Sequence, residues 1–349
     1  MKTLKRLTLA LPLVCGLAHG QDALLYRTEA VRTLPGSGHS WGFGALDPNS
    51  PTLFVARREN GLSLFDVQRQ KALGTLANST GANAVVLVPV RNRAYVANMD
   101  GSLGIVDLKQ RKVLERLPVD SGNLNNLLYD GHSDRVIITS GRRGDHSTLY
   151  FLDPASDRIV GERDIAARKL DGPIGLKDGR FIVPLRDEDQ VAVLSGPQLA
   201  EQRLLSYPGC GKPSALAADE AGGHLFVACR GAPPVLVIAD LASGALQATL
   251  PITHAVNTLA YDAQRKQVLI PSGVDASLTV VGQDADGRFR LRGAVGTRPW
   301  AHNMVFDAQR GRAYLFAMDF TQPAPTAEVP KADPQFHADT FSILTLKAH

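Results

Sequence analysis

Seven short apolar strands recur along this 349-residue chain at nearly even intervals. Their anchors are Val55, Val96, Ile138, Val183, Val227, Ile270 and Leu315, which lie 41, 42, 45, 44, 43 and 45 residues apart. A unit of that length cannot bury its apolar face alone, so it must stack on its neighbours. Each unit carries enough alternating apolar residues for about four short strands. The period therefore predicts an all-β fold, a β-propeller of seven blades of 41–45 residues. An array of immunoglobulin-like sandwiches is the structural competitor, and the even spacing argues against it.

The fifth unit is the clearest. Residues 214–219 read as strand a, 224–229 as strand b, 235–240 as strand c and 245–252 as the outer strand d. The second unit repeats this at 84–88, 94–98, 103–107 and 113–119. The sixth and seventh repeat the first hairpin, with strand a at 257–262 and 303–307 and turns D-A-Q-R-K and D-A-Q-R-G. The seventh has room only for strands a and b and a last strand c at 340–346. Residues 24–34 precede the first blade and carry the pattern of a strand d. They are predicted to close the ring on the C-terminal strand, which removes two open edges.

Residues 1–20 read as a secretory signal outside the fold. Lys2, Lys5 and Arg6 form a basic start, and residues 7–17 an apolar core too short to span a bilayer. Ala18, His19 and Gly20 follow, with small residues where a signal peptidase reads. Cys15 follows Pro12, Leu13 and Val14, a poor lipobox, which argues against a lipid anchor. No later apolar run is long enough for a membrane helix. The expectation is a periplasmic monomer with one domain, residues 21–349, because no linker interrupts the period. Without the signal, 35 Lys and Arg stand against 34 Asp and Glu. A net charge of +1 gives no whole-chain support for nucleic-acid binding.

Further short segments carry a likeness. They are Tyr95-Val96-Ala97-Asn98, Phe226-Val227-Ala228-Cys229, residues 212–217 and residues 339–344. In these the chain resembles the secreted YncE-like propellers with YVTN-type repeats, over its whole mature length, with Cys229 where the repeat has Asn. The resemblance implies fold far more than activity. One branch of that family binds single-stranded DNA in the periplasm, so it implies that partner class as a candidate.

In a four-stranded meander the d–a and b–c connections share one end, called the top here. The chemically varied segments all fall there, which makes the top the expected functional face. Five constellations stand out. His39, His254 and His302 precede strand-ending aspartates in blades 1, 6 and 7, and His337 lies at the same end. Converging imidazoles could hold Zn²⁺ or Cu²⁺; the alternative is separate loop histidines bonded to backbone. Trp41 and Trp300 sit beside two of them, as stacking surfaces for a base or sugar or as wedges between blades. Arg57, Arg58, Arg142, Arg143, Arg186 and Arg230 follow strand b and could line a groove for a phosphate backbone. Glu59, Asp100, Asp145, Asp187, Glu188, Asp189 and Asp275 share those loops, so a rim of solvated ion pairs is the alternative. Cys210 and Cys229 meet at the top of blade 5 and are predicted to form a structural disulfide, stabilising by about 3 kcal/mol. Residues 319–339, with Pro323, Pro325, Pro330 and Pro334, form a long b–c insertion that reads as a lid, a docking segment or a packed excursion.

No nucleophile elbow, phosphate loop or zinc-protease motif is present, so no catalytic residue is named. Asn98, Asn125, Asn257 and Asn303 near strand ends suggest the metal sites of propeller lactonases, or equally backbone capping. The favoured function is a non-catalytic periplasmic binding or interaction scaffold using its top-face loops. Its partner would be single-stranded nucleic acid, a cell-envelope component or another protein. The rival is a metal-dependent propeller hydrolase or metal-binding protein built on the histidines, with a transition metal as its cofactor.

Overall fold

The computed structural model describes residues 25–326, 329 and 332–349. The expected signal segment 1–20, Cys15 and Leu24 lie outside the described residues. What is described is nearly all strand, with two short 3₁₀ turns at Pro89–Arg91 and Pro197–Leu199. No helix among the described residues is long and apolar enough to cross a membrane.

Seven antiparallel four-stranded sheets form the seven blades. Blade 5 runs outward from the axis as Pro213–Asp219, His224–Cys229, Val235–Asp240 and Leu246–Pro251. Strand b is apolar at nearly every residue because both its faces are buried, each against a different blade. Leu225, Val227 and Cys229 pack toward blade 4, whereas Phe226 and Ala228 pack toward blade 6. The same alternation gives one apolar cluster between each pair of adjacent blades around the ring. The a–b turns on the bottom are closed by the aspartate ending strand a. Asp262 accepts from the amides of Gln264 and Arg265, and Asp307 from that of Arg310, with Arg265 and Arg310 folding back onto the same carboxylates.

The ring closes as the sequence predicts. Blade 7 is Asn303–Asp307, Arg312–Ala317, Ser342–Ala348 and, as its outer strand, Tyr26–Thr33. The pairing runs from Tyr26 opposite Ala348 to Thr33 opposite Ser342, with a bulge at Glu29. The bulged Glu29 takes a two-point contact from the Arg312 guanidinium, at 2.5 and 2.8 Å. Strand c of this blade starts two residues later than expected.

Strand a is less regular than the period suggests. In blade 6 only Ala260–Asp262 is strand, not the expected 257–262, and in blade 4 only Ile174–Gly175. Pairing resumes nearer the top through isolated bridges, Leu170 with Leu185 and Val256 with Ser272. In blade 4 the gap holds Gly172 and Pro173, and a proline has no amide to give to the ladder.

Candidate functional site

The top of the channel is built on a bulge repeated in strand a. The register slips at Asn83, Asn125 and Ser214 in blades 2, 3 and 5. Asp171 and Asn257 follow the bridges at the same place in blades 4 and 6. Side chains here lace each blade to the next. Asn83 Nδ2 donates to the carbonyls of Leu124 and Asn125, and Asn125 Nδ2 donates to Leu170 O at 2.8 Å. Asn257 donates to Asn303 Oδ1, and Asn303 donates to Gly42 O, both at 2.6 Å. Gly42 is required by close approach, since a Cβ there would lie 1.8 Å from Asn83 O. These asparagines are therefore spent on backbone and on one another, and Asn98 bonds to Ser102 Oγ. Asp171 breaks the series: a carboxylate cannot donate to the next blade.

Asp171 is only 5% exposed, and its partners are cationic. Lys169 Nζ lies 3.6 Å from one oxygen and Arg186 Nη1 lies 3.4 Å from the other. Both contacts are longer than a charge-assisted hydrogen bond. Burial pushes the Lys169 ammonium below its usual pKa, partly offset by Asp171 and reinforced by Arg186, Arg142 and Arg230. Burial lowers Arg230 as well, and Arg186 adds to it. Arg230 has no ion pair and no side-chain hydrogen bond among the described residues.

The residue after strand b holds the same place in every blade. It is Arg58, Met99, Gly141, Arg186, Arg230, Gly273 and Met318 in blades 1 to 7. Its amide bonds to the residue before strand a's first pair: Met99 to Gly81, Gly141 to Asn123, Arg186 to Lys169 and Arg230 to Lys212. Blades 4 and 5 thus present the same Lys–Arg couple side by side. Lys169, Lys212 and Arg168 were not among the expected site residues. They lie in d–a connections, away from the post-strand-b positions that the arginine pattern marks.

A cleft of about 400 Å³ opens over this sector. Arg142, Arg168, Lys169, Arg186 and Lys212 line it, with Asp187 and Asp189. Both carboxylates are engaged: Asp187 accepts from the amides of Arg168 and Lys169 and from Arg168 Nε at 3.0 Å, and Asp189 accepts from the amide of Lys212. Glu59 and Asp275 do the same for Ser40 and His254. Glu59, Asp187 and Asp275 therefore fasten the d–a loop of their own blade, and Asp189 that of the next. Arg142 and Lys212 are exposed and unpaired among the described residues.

The remaining expected residues separate. Arg57 is 2% exposed, donates to Pro35 O and lies over the Phe341 ring at 4.6 Å, so it faces packing and not solvent. Arg143 is held by Asp120 and by Asn123 O. Arg58 is half-buried and donates to Asn83 Oδ1 at 3.0 Å. Trp41 is buried against blades 7 and 1, stacked near His302, with Phe336 and Phe341 at its edge. Trp300 meets His302, Phe320 and Phe336 edge-on. Both tryptophans act as packing wedges here.

The histidines are not brought together. His39 Nδ1 is bonded to Phe336 O, His254 Nδ1 to Asp275 and His337 Nε2 to Thr321 Oγ1. His302 is half-buried, and burial, then Arg230 and Arg58, push it down to about 4. Among the described residues no group of three or more His, Cys, Asp or Glu is placed to hold a metal ion. The expected metal set is thus dispersed into loop hydrogen bonds and packing.

Cys210 and Cys229 are joined in a disulfide, with Cα atoms 5.2 Å apart, buried between blades 4 and 5. The described part of the 319–339 insertion folds back over the aromatics. Phe320–Thr321 pairs with Gln335–Phe336, and Arg298 holds Asp319. This is the packed-excursion expectation; Pro330 lies outside the described residues.

No protein-family model matches the chain, and no curated protein matches it in sequence. Solved propellers match in shape. A chain in the crystal structure of the mitotic checkpoint complex aligns at a TM-score of 0.73 and 12% identity, covering 100% of this chain and 99% of that one. The RRP9 WD40 repeats align at 0.70 and 12% identity over 92% of this chain and 100% of theirs. Hydrazine synthase from Kuenenia stuttgartiensis aligns at 0.60 and 16% identity over 74% and 84%. Identities this low speak for fold alone, and what the chain shares with these structures is the β-propeller architecture.

Proposed function

We propose that this protein is a non-catalytic binding scaffold, exported to the periplasm, whose top face holds a polyanion of the single-stranded nucleic-acid type. The observation that carries this reading is the cleft over blades 3 to 5, where five cations meet two carboxylates, both held by backbone amides and one of them paired with Arg168. A concave cationic strip that tracks phosphates is what sequence-independent binding of a single strand requires. The signal-like residues 1–20 and the resemblance to YncE-like propellers support the exported, binding role. Trp41 is buried and Trp300 half-buried among aromatics, and neither is used as a stacking platform in this reading, so affinity is electrostatic.

The test is fluorescence anisotropy of a labelled oligo-dT with the mature protein across a salt series. Binding should weaken with salt, and Arg142→Ala with Lys212→Ala should lower the log–log slope by about 1.4, two phosphate contacts' worth. Binding that ignores salt, or is unchanged in the double variant, overturns it. Arg143→Ala is a poor probe, because it releases Asp120.

A further inference from the structure

Deeper than the cleft, toward the channel axis, a second set of cations is left over. Arg58, Arg186 and Arg230 occupy the same register in three blades, and Lys169 is hydrogen-bonded through its backbone to Arg186. Asp171 alone forms ion pairs with them, serving two cations at 3.4 and 3.6 Å, while Glu59 acts on Arg58 and Asp171 on Arg230 only through space. Arg230 has no partner among the described residues, and Arg58 has one neutral amide. The two open positions of the ring nearest to them are filled by packing. Gly273 leaves no room for a side chain because His302 Nδ1 would lie 2.7 Å from its Cβ, and Met318 is 3% exposed. Below, asparagine side chains lace blade 2 to 3, 3 to 4 and 6 to 7.

Half-buried guanidinium groups short of counter-charge are costly, and an anion seated among them would offset that cost. Guanidinium forks match the tetrahedral oxygens of a phosphate, while an ammonium supplies a point charge. A cation would be repelled from this mouth, and the groups around it are few enough to match a single small anion. We propose that the channel mouth binds one small oxyanion, inorganic phosphate or the terminal phosphate of a phosphomonoester, gripped by Arg58, Lys169, Arg186 and Arg230. The site adjoins the polyanion cleft and shares Lys169 and Arg186 with it, but does not depend on it.

The experiment is thermal unfolding and calorimetric titration of the mature protein with inorganic phosphate, against sodium chloride at matched ionic strength. Thymidine 5′-monophosphate is the second probe. Phosphate should bind saturably and raise Tm by about 3–6 °C once it stands a hundredfold above Kd. Arg230→Gln and Arg58→Gln should each weaken it at least about tenfold. Arg230→Gln should also be no less stable than the parent without phosphate, since it removes an unmatched buried charge. Binding of both probes marks a site open to solvent, and of inorganic phosphate alone a site closed above; either supports the proposal. No saturable effect beyond chloride, or one unchanged in both variants, overturns it. The Arg142→Ala, Lys212→Ala variant separates the two readings. It should keep the phosphate effect and bind oligo-dT more weakly with the lowered salt slope, whereas salt-sensitive oligo-dT binding without any phosphate effect leaves only the polyanion reading standing.

Discussion

His302 shows how one side chain reports on the mouth around it. The ring is half-buried beside Trp41, with Arg230 and Arg58 as the charges bearing on it, and it titrates near 4. An unfolded histidine titrates near pH ~6.5. Above that value both states are neutral and the residue adds nothing to pH dependence. As the pH falls through 6.5 toward 4 the unfolded chain takes up a proton that the folded one refuses, so stability drops, by about 3 kcal/mol in all. Denaturant unfolding at pH 7 and at pH 4 should show that loss, and His302→Gln should remove about 3 kcal/mol of it. Equal losses in parent and variant would mean that His302 protonates freely when folded. The arginines teach a related lesson. Six look alike in sequence, yet Arg57 and Arg143 are structural while Arg58, Arg186 and Arg230 stay short of partners. Periodicity reveals which loop a residue is on. It does not reveal whether a neighbouring blade has brought up a carboxylate, as Asp120 does for Arg143.

At the level of the element, strand b was fully legible because both its faces are buried, so every position shows in the sequence. Strand a was legible only in part. Its inner face meets a channel of polar lacing, so no apolar residue marks where pairing lapses, as at Gly172–Pro173 and residues 257–259. The disulfide was legible because two cysteines stood at the top of one blade, and it does more than close a loop. Arg230 directly follows Cys229, and Lys212 lies two residues beyond Cys210, so the crosslink fixes the loops that present both cations. Replacing both cysteines by serine should cost about 3 kcal/mol by denaturant unfolding. It should also weaken oligo-dT binding, because Lys212 of the cleft would no longer be held in register. Full retention of both stability and binding would show that the backbone pairing of Arg230 and Gly231 suffices without it.

For the whole molecule, the ring was the most legible feature, because seven interfaces of one kind impose one period. Its seam is the exception: one blade draws on both ends of the fold. A chain lacking residues 25–34 keeps six intact blades but exposes Ser342–Ala348 as an unpaired edge beside the buried site of Tyr26. Such a chain should run as dimers or larger species on size-exclusion chromatography, and a clean monomer would mean that the seam is dispensable. The seam also sets an order in time. Tyr26–Thr33 is made first among the described strands, and its partner Ser342–Ala348 is made last. The circle cannot close before Ser342–Ala348 has been made, so the first strand waits for its partner while the six blades between them are completed.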